Sequence, residues 1–75
     1  MTTINQTTEE KVVFHLQTEQ EADGRWIAEI IDFPGVLAYG ASKEEAIAKA
    51  QALALRVLAD RVEEEKSAKK IIKFA

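Results

Sequence analysis

His15 is the one imidazole in this 75-residue chain, and there is no cysteine. A thiolate metal site is therefore excluded, and so is a histidine-rich one. The carboxylates nearest to a chemical pattern are Asp23, Glu29 and Asp32, which flank or sit in one apolar stretch. A metal-dependent nuclease would need such groups to converge from separate elements and to place a water between them. The spacing does not show that convergence. Asp23 fits a turn before Gly24, Asp32 fits a strand exit before Pro34, and Glu29 fits a solvated or paired strand side chain. Ser42 has no base patterned around it and is explained by capping a helix. Gly24, Gly35 and Gly40 are spaced for turns and not for a phosphate loop. Catalytic, metal and cofactor-binding residues are thus expected to be none, with a weak metal-dependent nuclease relative using Asp23, Glu29 and Asp32 as the rival reading.

Two further sets could bind nucleic acid. Trp26, Phe33 and Tyr39 could form a base-stacking platform. Lys66, Lys69, Lys70 and Lys73 form a basic cluster beside Glu63, Glu64 and Glu65. The net charge of -3 and pI near 5.1 argue against both, because nucleic-acid-binding domains carry a basic patch or stripe. The aromatics are read as core or protein interface. The lysines are read as a solvated helix end, where cations offset the helix dipole and the acidic run.

These residues must be held by very few elements. Residues 11–18 alternate, with Val12, Phe14 and Leu16 on one side and Val13, His15 and Gln17 on the other, which predicts a strand. Asp23-Gly24 signals a hairpin. A second strand over residues 25–31 carries Trp26, Ala28 and Ile30 on one face and Ile27, Glu29 and Ile31 on the other. Pro34-Gly35 predicts a type II turn, with positive φ at Gly35. A short third strand covers residues 36–39, and Gly40 releases the chain from it. Ser42 and Glu45 form a capping box, Ser42 accepting from the Glu45 N–H and Glu45 reaching back to the Ser42 N–H.

The helix that follows runs to about residue 65. Its apolar stripe is Ala46, Ile47, Ala50, Leu53, Ala54, Val57, Leu58 and Val62, at the three- and four-residue spacing of one helix face. Ile71-Ile72-Lys73-Phe74 is β-branched and aromatic and predicts a final strand. The order is β-β-β-α-β, an α+β layer with one long helix on one face of a small antiparallel sheet.

One helix covers one face. If Trp26 and Ile30 face it, Ile27 and Ile31 are left outside with Val13, and the opposite register would leave the other set outside. An exposed apolar set on a small domain marks a protein interface. A chain of this length buries only roughly 60% of its unfolded surface and lacks disulfides, so self-association is its expected support. The expected oligomer or partner interface is Val13, Ile27 and Ile31, with Ile71, Ile72 and Phe74 adding a pairing edge. Residues 1–10 lack a basic start and an apolar core, and read as a flexible polar tail ahead of a single domain over residues 11–75. No run approaches a membrane span. The expected location is the cytoplasm.

The segment from Val12 to Leu58 resembles the HicB-like antitoxin domain. The resemblance is carried by the opening strand, Asp23-Gly24 before Trp26-Ile27-Ala28-Glu29-Ile30, then Asp32-Phe33-Pro34-Gly35-Val36, then Gly40-Ala41-Ser42-Lys43-Glu44-Glu45-Ala46-Ile47. It implies a partial ribonuclease-H-like fold without nuclease activity, and a dimer, tetramer or other homo-oligomer. It also implies, as partner, a small HicA-type toxin, an mRNA-cleaving ribonuclease with a double-stranded-RNA-binding-like fold. Many members add a carboxy-terminal DNA-binding segment. Ile71 to Ala75 leaves no room for one, so direct DNA binding is not expected. Ile31 also departs from the family, which often has proline there. An orphan oligomeric regulator without a toxin is the alternative within the same family.

Overall fold

A computed structural model describes residues 11–75; the expected polar tail lies outside the described residues. The elements are β1 (Lys11–Phe14), β2 (Leu16–Gln20), β3 (Trp26–Ile30), β4 (Leu37–Gly40), α1 (Lys43–Glu65) and β5 (Ile71–Phe74). The α+β architecture and the β-β-β-α-β order match the sequence reading, with the first predicted strand split into β1 and β2 at His15. The split leaves the pleat intact. Ala75 N–H donates to the Phe14 carbonyl at 2.8 Å, and Leu16 N–H donates to the Ala75 carbonyl at 2.8 Å.

β2, β3 and β4 form an antiparallel meander, and β5 pairs with β1 in parallel. The spatial order is therefore β4-β3-β2/β1-β5. The predicted edge pairing of the last strand is made within the chain, along β1. A parallel return needs a crossover, and the 23-residue α1 supplies it between β4 and β5.

The turns form for the reasons their residues predict. Gly35 has φ +86°, and Val36 N–H donates to the Phe33 carbonyl at 3.1 Å, closing the type II turn on Pro34-Gly35. In the β2–β3 hairpin, Gly24 has φ +94° and its N–H reaches the Glu21 carbonyl at 2.9 Å. Gly40 has a reason the sequence does not state. A Cβ there would stand 2.5 Å from the Ala46 nitrogen, so glycine is what lets the start of α1 lie against the end of β4.

α1 approaches the sheet through a row of small residues. Ala46, Ala50 and Ala54 are 0% exposed, four residues apart, and face Ala28 and Ile30, also 0% exposed. Ile47, Leu53, Val57 and Val62 flank that row half-buried. Phe14 closes the core at the β1 end, with its ring centroid 5.3 Å from those of both Phe33 and Phe74. The buried row is thin. Phe14 and Ile30 are its largest fully enclosed side chains.

Candidate functional site

The helix lies over the face that carries Phe14, Ala28 and Ile30, so the opposite face of the sheet has no layer over it among the described residues. The register fixes what that open face displays. Along β1 and β2 it shows Lys11, Val13, His15, Gln17 and Glu19. On one side, β3 sets Glu29 and Ile27 beside Gln17 and Glu19, Ile31 just past its end lies beside His15, and β4 sets Leu37 and Tyr39 beside Glu29 and Ile27. On the other side, β5 sets Ile71 and Lys73 beside Lys11 and Val13. Ile31 and Ile71 are both 53% exposed. Four predicted interface residues, Val13, Ile27, Ile31 and Ile71, thus share one surface.

Phe74 and Ile72 lie elsewhere. Parallel pairing with Phe14 turns Phe74 to the helix side, where it packs half-buried on the Phe14 ring at the rim of the core. Ile72 lines an open groove of about 420 Å³ with Leu55, Leu58, Ala59 and Val62. The groove was missed in the sequence because Leu55 falls off the main apolar stripe. Its signal is there: residues 55, 58, 59 and 62 make a second i, i+3, i+4, i+7 stripe.

His15 and Asp32 meet at the edge of the open face. Where β3 leaves the sheet after Ile30, Ile31 N–H still donates to the His15 carbonyl at 3.0 Å. The return bond from the His15 N–H goes to Asp32 Oδ2 at 2.5 Å, so a side-chain carboxylate continues the ladder past the end of the strand. The other oxygen, Oδ1, lies 3.0 Å from His15 Nδ1. Accepting the His15 backbone N–H, and then the ring, holds Asp32 below the ordinary aspartate value of 3.8. Asp32 therefore does more than exit a strand, and sequence separation hid its partner.

The other singled-out carboxylates are taken up locally. Asp23 accepts the Arg25 N–H at 3.0 Å and the Arg25 Nε at 2.8 Å, and these bonds lower its pKa. Glu29 stands in the middle of the open face, beside Gln17 and Leu37. Among the described residues no three metal-ligating side chains come together. Ser42 caps α1 as predicted, accepting the Glu45 N–H at 3.1 Å. The reciprocal bond differs: Glu45 Oε1 takes the N–H of Ala41, one residue earlier, at 2.7 Å. That bond, followed by Lys49 one turn on, lowers the Glu45 pKa.

The three aromatics do not make a platform. Tyr39 lies on the open face beneath the Arg25 guanidinium, 4.5 Å from its ring centroid. Trp26 lies half-buried on the helix side under Lys43, and Phe33 is wedged between Phe14 and Arg61. What the arrangement offers is an apolar, charge-studded surface and a separate groove, which is chemistry suited to holding another protein. No described helix is long and apolar enough to cross a membrane. Comparison of the chain with protein-family models, with curated proteins and with solved structures found no match in any of the three.

Proposed function

We propose that this chain is a non-enzymatic, protein-binding antitoxin domain of HicB type that works as a homo-oligomer in the cytoplasm. It neutralises a small HicA-type ribonuclease by covering the toxin's catalytic and RNA-binding surface. The observation that carries the reading is the uncovered sheet face, with Ile27, Ile31, Val13 and Ile71 on one surface. A thin core roofed on one side only is a fold that gains by binding protein. The turn-strand-cap series from Asp32 to Ile47 supports the family assignment, because Gly35, Gly40, Ser42 and Glu45 each hold a defined backbone position. A net charge of -3 favours encounter with a basic RNA-binding protein.

The test is genetic. Any small basic protein encoded beside this chain is expressed alone and then with it. The proposal expects growth arrest in the first case and relief in the second, with the two proteins copurifying. Arrest that this chain leaves unrelieved would contradict it, and so would a neighbour that causes no arrest.

A further inference from the structure

β5 pairs with β1 and with no other strand among the described residues. Ala75 donates to the Phe14 carbonyl and accepts from the Leu16 N–H, both at 2.8 Å, so its backbone groups point at β1 and β2. Backbone groups alternate in direction along a strand. Those of Ile71 and Lys73 therefore also point at β1, and those of Ile72 and Phe74 point outward. An edge that presents open N–H and C=O groups is a template for another strand. The edge at β4 is guarded: Gly40 lies against the first turn of α1, and Tyr39 sits beneath Arg25. β5 carries no such guard. Three of its four residues are apolar, and Ile71 and Ile72 are 53% and 45% exposed on opposite sides of the sheet.

The side chains around this edge say what kind of strand it accepts. Ile72 turns to the helix side and lines the apolar groove with Leu55, Leu58, Ala59 and Val62. Residues paired across two strands share a side of the sheet. A residue paired with Ile72 therefore stands at the mouth of the groove, and a residue paired with Lys73 stands on the open side. On that open side Lys73 and Lys11 lie at the same end, and neither β1 nor β5 holds an acidic residue. Glu63 and Lys69 border the groove with opposite charges. The complementary strand is thus apolar opposite Ile72 and Phe74 and acidic opposite Lys73. A second copy of β5 does not meet this demand. Antiparallel pairing through the outward groups of both Ile72 and Phe74 would set Lys73 directly opposite Lys73, and like charges so placed are destabilising.

We infer that the outer edge of β5 receives an extended acidic segment of another protein by strand addition, with its apolar side chains toward the groove and its carboxylate on Lys73. Main-chain bonds to Ile72 and Phe74 hold the segment, and the groove and Lys73 select its side chains. Antiparallel pairing is the more stable per residue, and it sets each apolar residue of the segment in a bonded pair with Ile72 or Phe74. The contact lies at the sheet edge, apart from Ile27 and Ile31 on the open face. It asks for an acidic strand where the antitoxin reading asks for a basic protein, so either can fail without the other.

The test is a titration of the isotope-labelled full chain with a blocked peptide, acetyl-Ser-Thr-Leu-Asp-Leu-Thr-Ser-amide, followed by amide NMR. Saturable shifts should appear at Ile72, Lys73 and Phe74 and along residues 55–62, with slowed hydrogen exchange at the Ile72 and Phe74 amides. Replacing the peptide's Asp by Lys should weaken binding roughly tenfold, and Lys73→Glu in the protein should reverse that preference. Methylating both leucine nitrogens of the peptide should abolish binding, because those groups face β5. The unmodified chain with the three peptides decides the matter even if the variant fails to fold. Absence of saturable shifts at millimolar peptide overturns the inference. So does equal binding of the Asp and Lys peptides, or binding that survives methylation. Ile72 and Phe74 amides already protected from exchange in the free chain would also overturn it, since a second copy or another segment would then hold the edge.

Discussion

Gly40→Ala should be among the most damaging single-methyl additions in this protein. The added Cβ would stand 2.5 Å from the Ala46 nitrogen and 3.0 Å from both the carbonyl carbon and the Cβ of Glu45. Normal van der Waals separation is about 3.5 Å or more, so the first turn of α1 must retreat by roughly 1 Å. That retreat pulls on two bonds at once, Glu45 N–H to Ser42 at 3.1 Å and Ala41 N–H to Glu45 at 2.7 Å. It also loosens Ala46, the first of the fully buried alanines. Overpacking of this kind costs about 1–3 kcal/mol. For a domain this small each kcal/mol lowers the melting temperature by roughly 4–8 °C. Gly24→Ala is the control, since its Cβ would meet nothing within 4 Å and its cost is confined to φ +94°. Urea unfolding at one fixed protein concentration reads both. A Gly40→Ala midpoint equal to the parent's, or higher than that of Gly24→Ala, would refute the close-approach argument.

Gly35→Val should destabilise by about 1–3 kcal/mol, more than Gly24→Ala, because a β-branched side chain must adopt the φ of +86° behind Pro34; matching denaturation midpoints would count against it. Lys66 ends α1 at φ +53°, so Lys66→Gly should stabilise by about 0.5–1 kcal/mol, seen as a raised urea midpoint. Asp23 and Asp32 are depressed below 3.8 and Glu45 below 4.5. Their ionised forms are favoured in the folded state, so their contribution is present above those values and fades as pH falls through the lower, folded ones. Acid titration of stability should show a loss concentrated below about pH 4 that flattens in Asp32→Ala; an unchanged acid limb would remove the His15–Asp32 contact from the account.

What could be read from the sequence was local. The Pro34-Gly35 turn, the Ser42 cap and the helix stripe each depend on residues within one or two turns of chain, and each forms where the residues predict. The period-two pattern of β3 also identified Ile27 and Ile31 as one face, though only the roofing helix decides which face is outside. Contacts set by tertiary pairing were not legible. Nothing local announces that β5 returns beside β1 in parallel, so Phe74 reads as an interface edge when it packs half-buried on Phe14. The His15–Asp32 pair spans a strand break and a turn. Gly40 looks like a turn glycine until the helix start is seen lying on it. Glu45 reaches back over the cap as expected, but its main donor is the Ala41 N–H, with the Ser42 N–H a lesser one.

We propose that this domain disarms a ribonuclease by binding it. The most direct measurement is RNA cleavage by any small basic protein encoded beside this chain, purified and titrated with this chain. Cleavage should fall in proportion to added protein and stop at a fixed stoichiometric ratio, with no cleavage by this chain alone. Cleavage that continues undiminished with this chain in excess would contradict it.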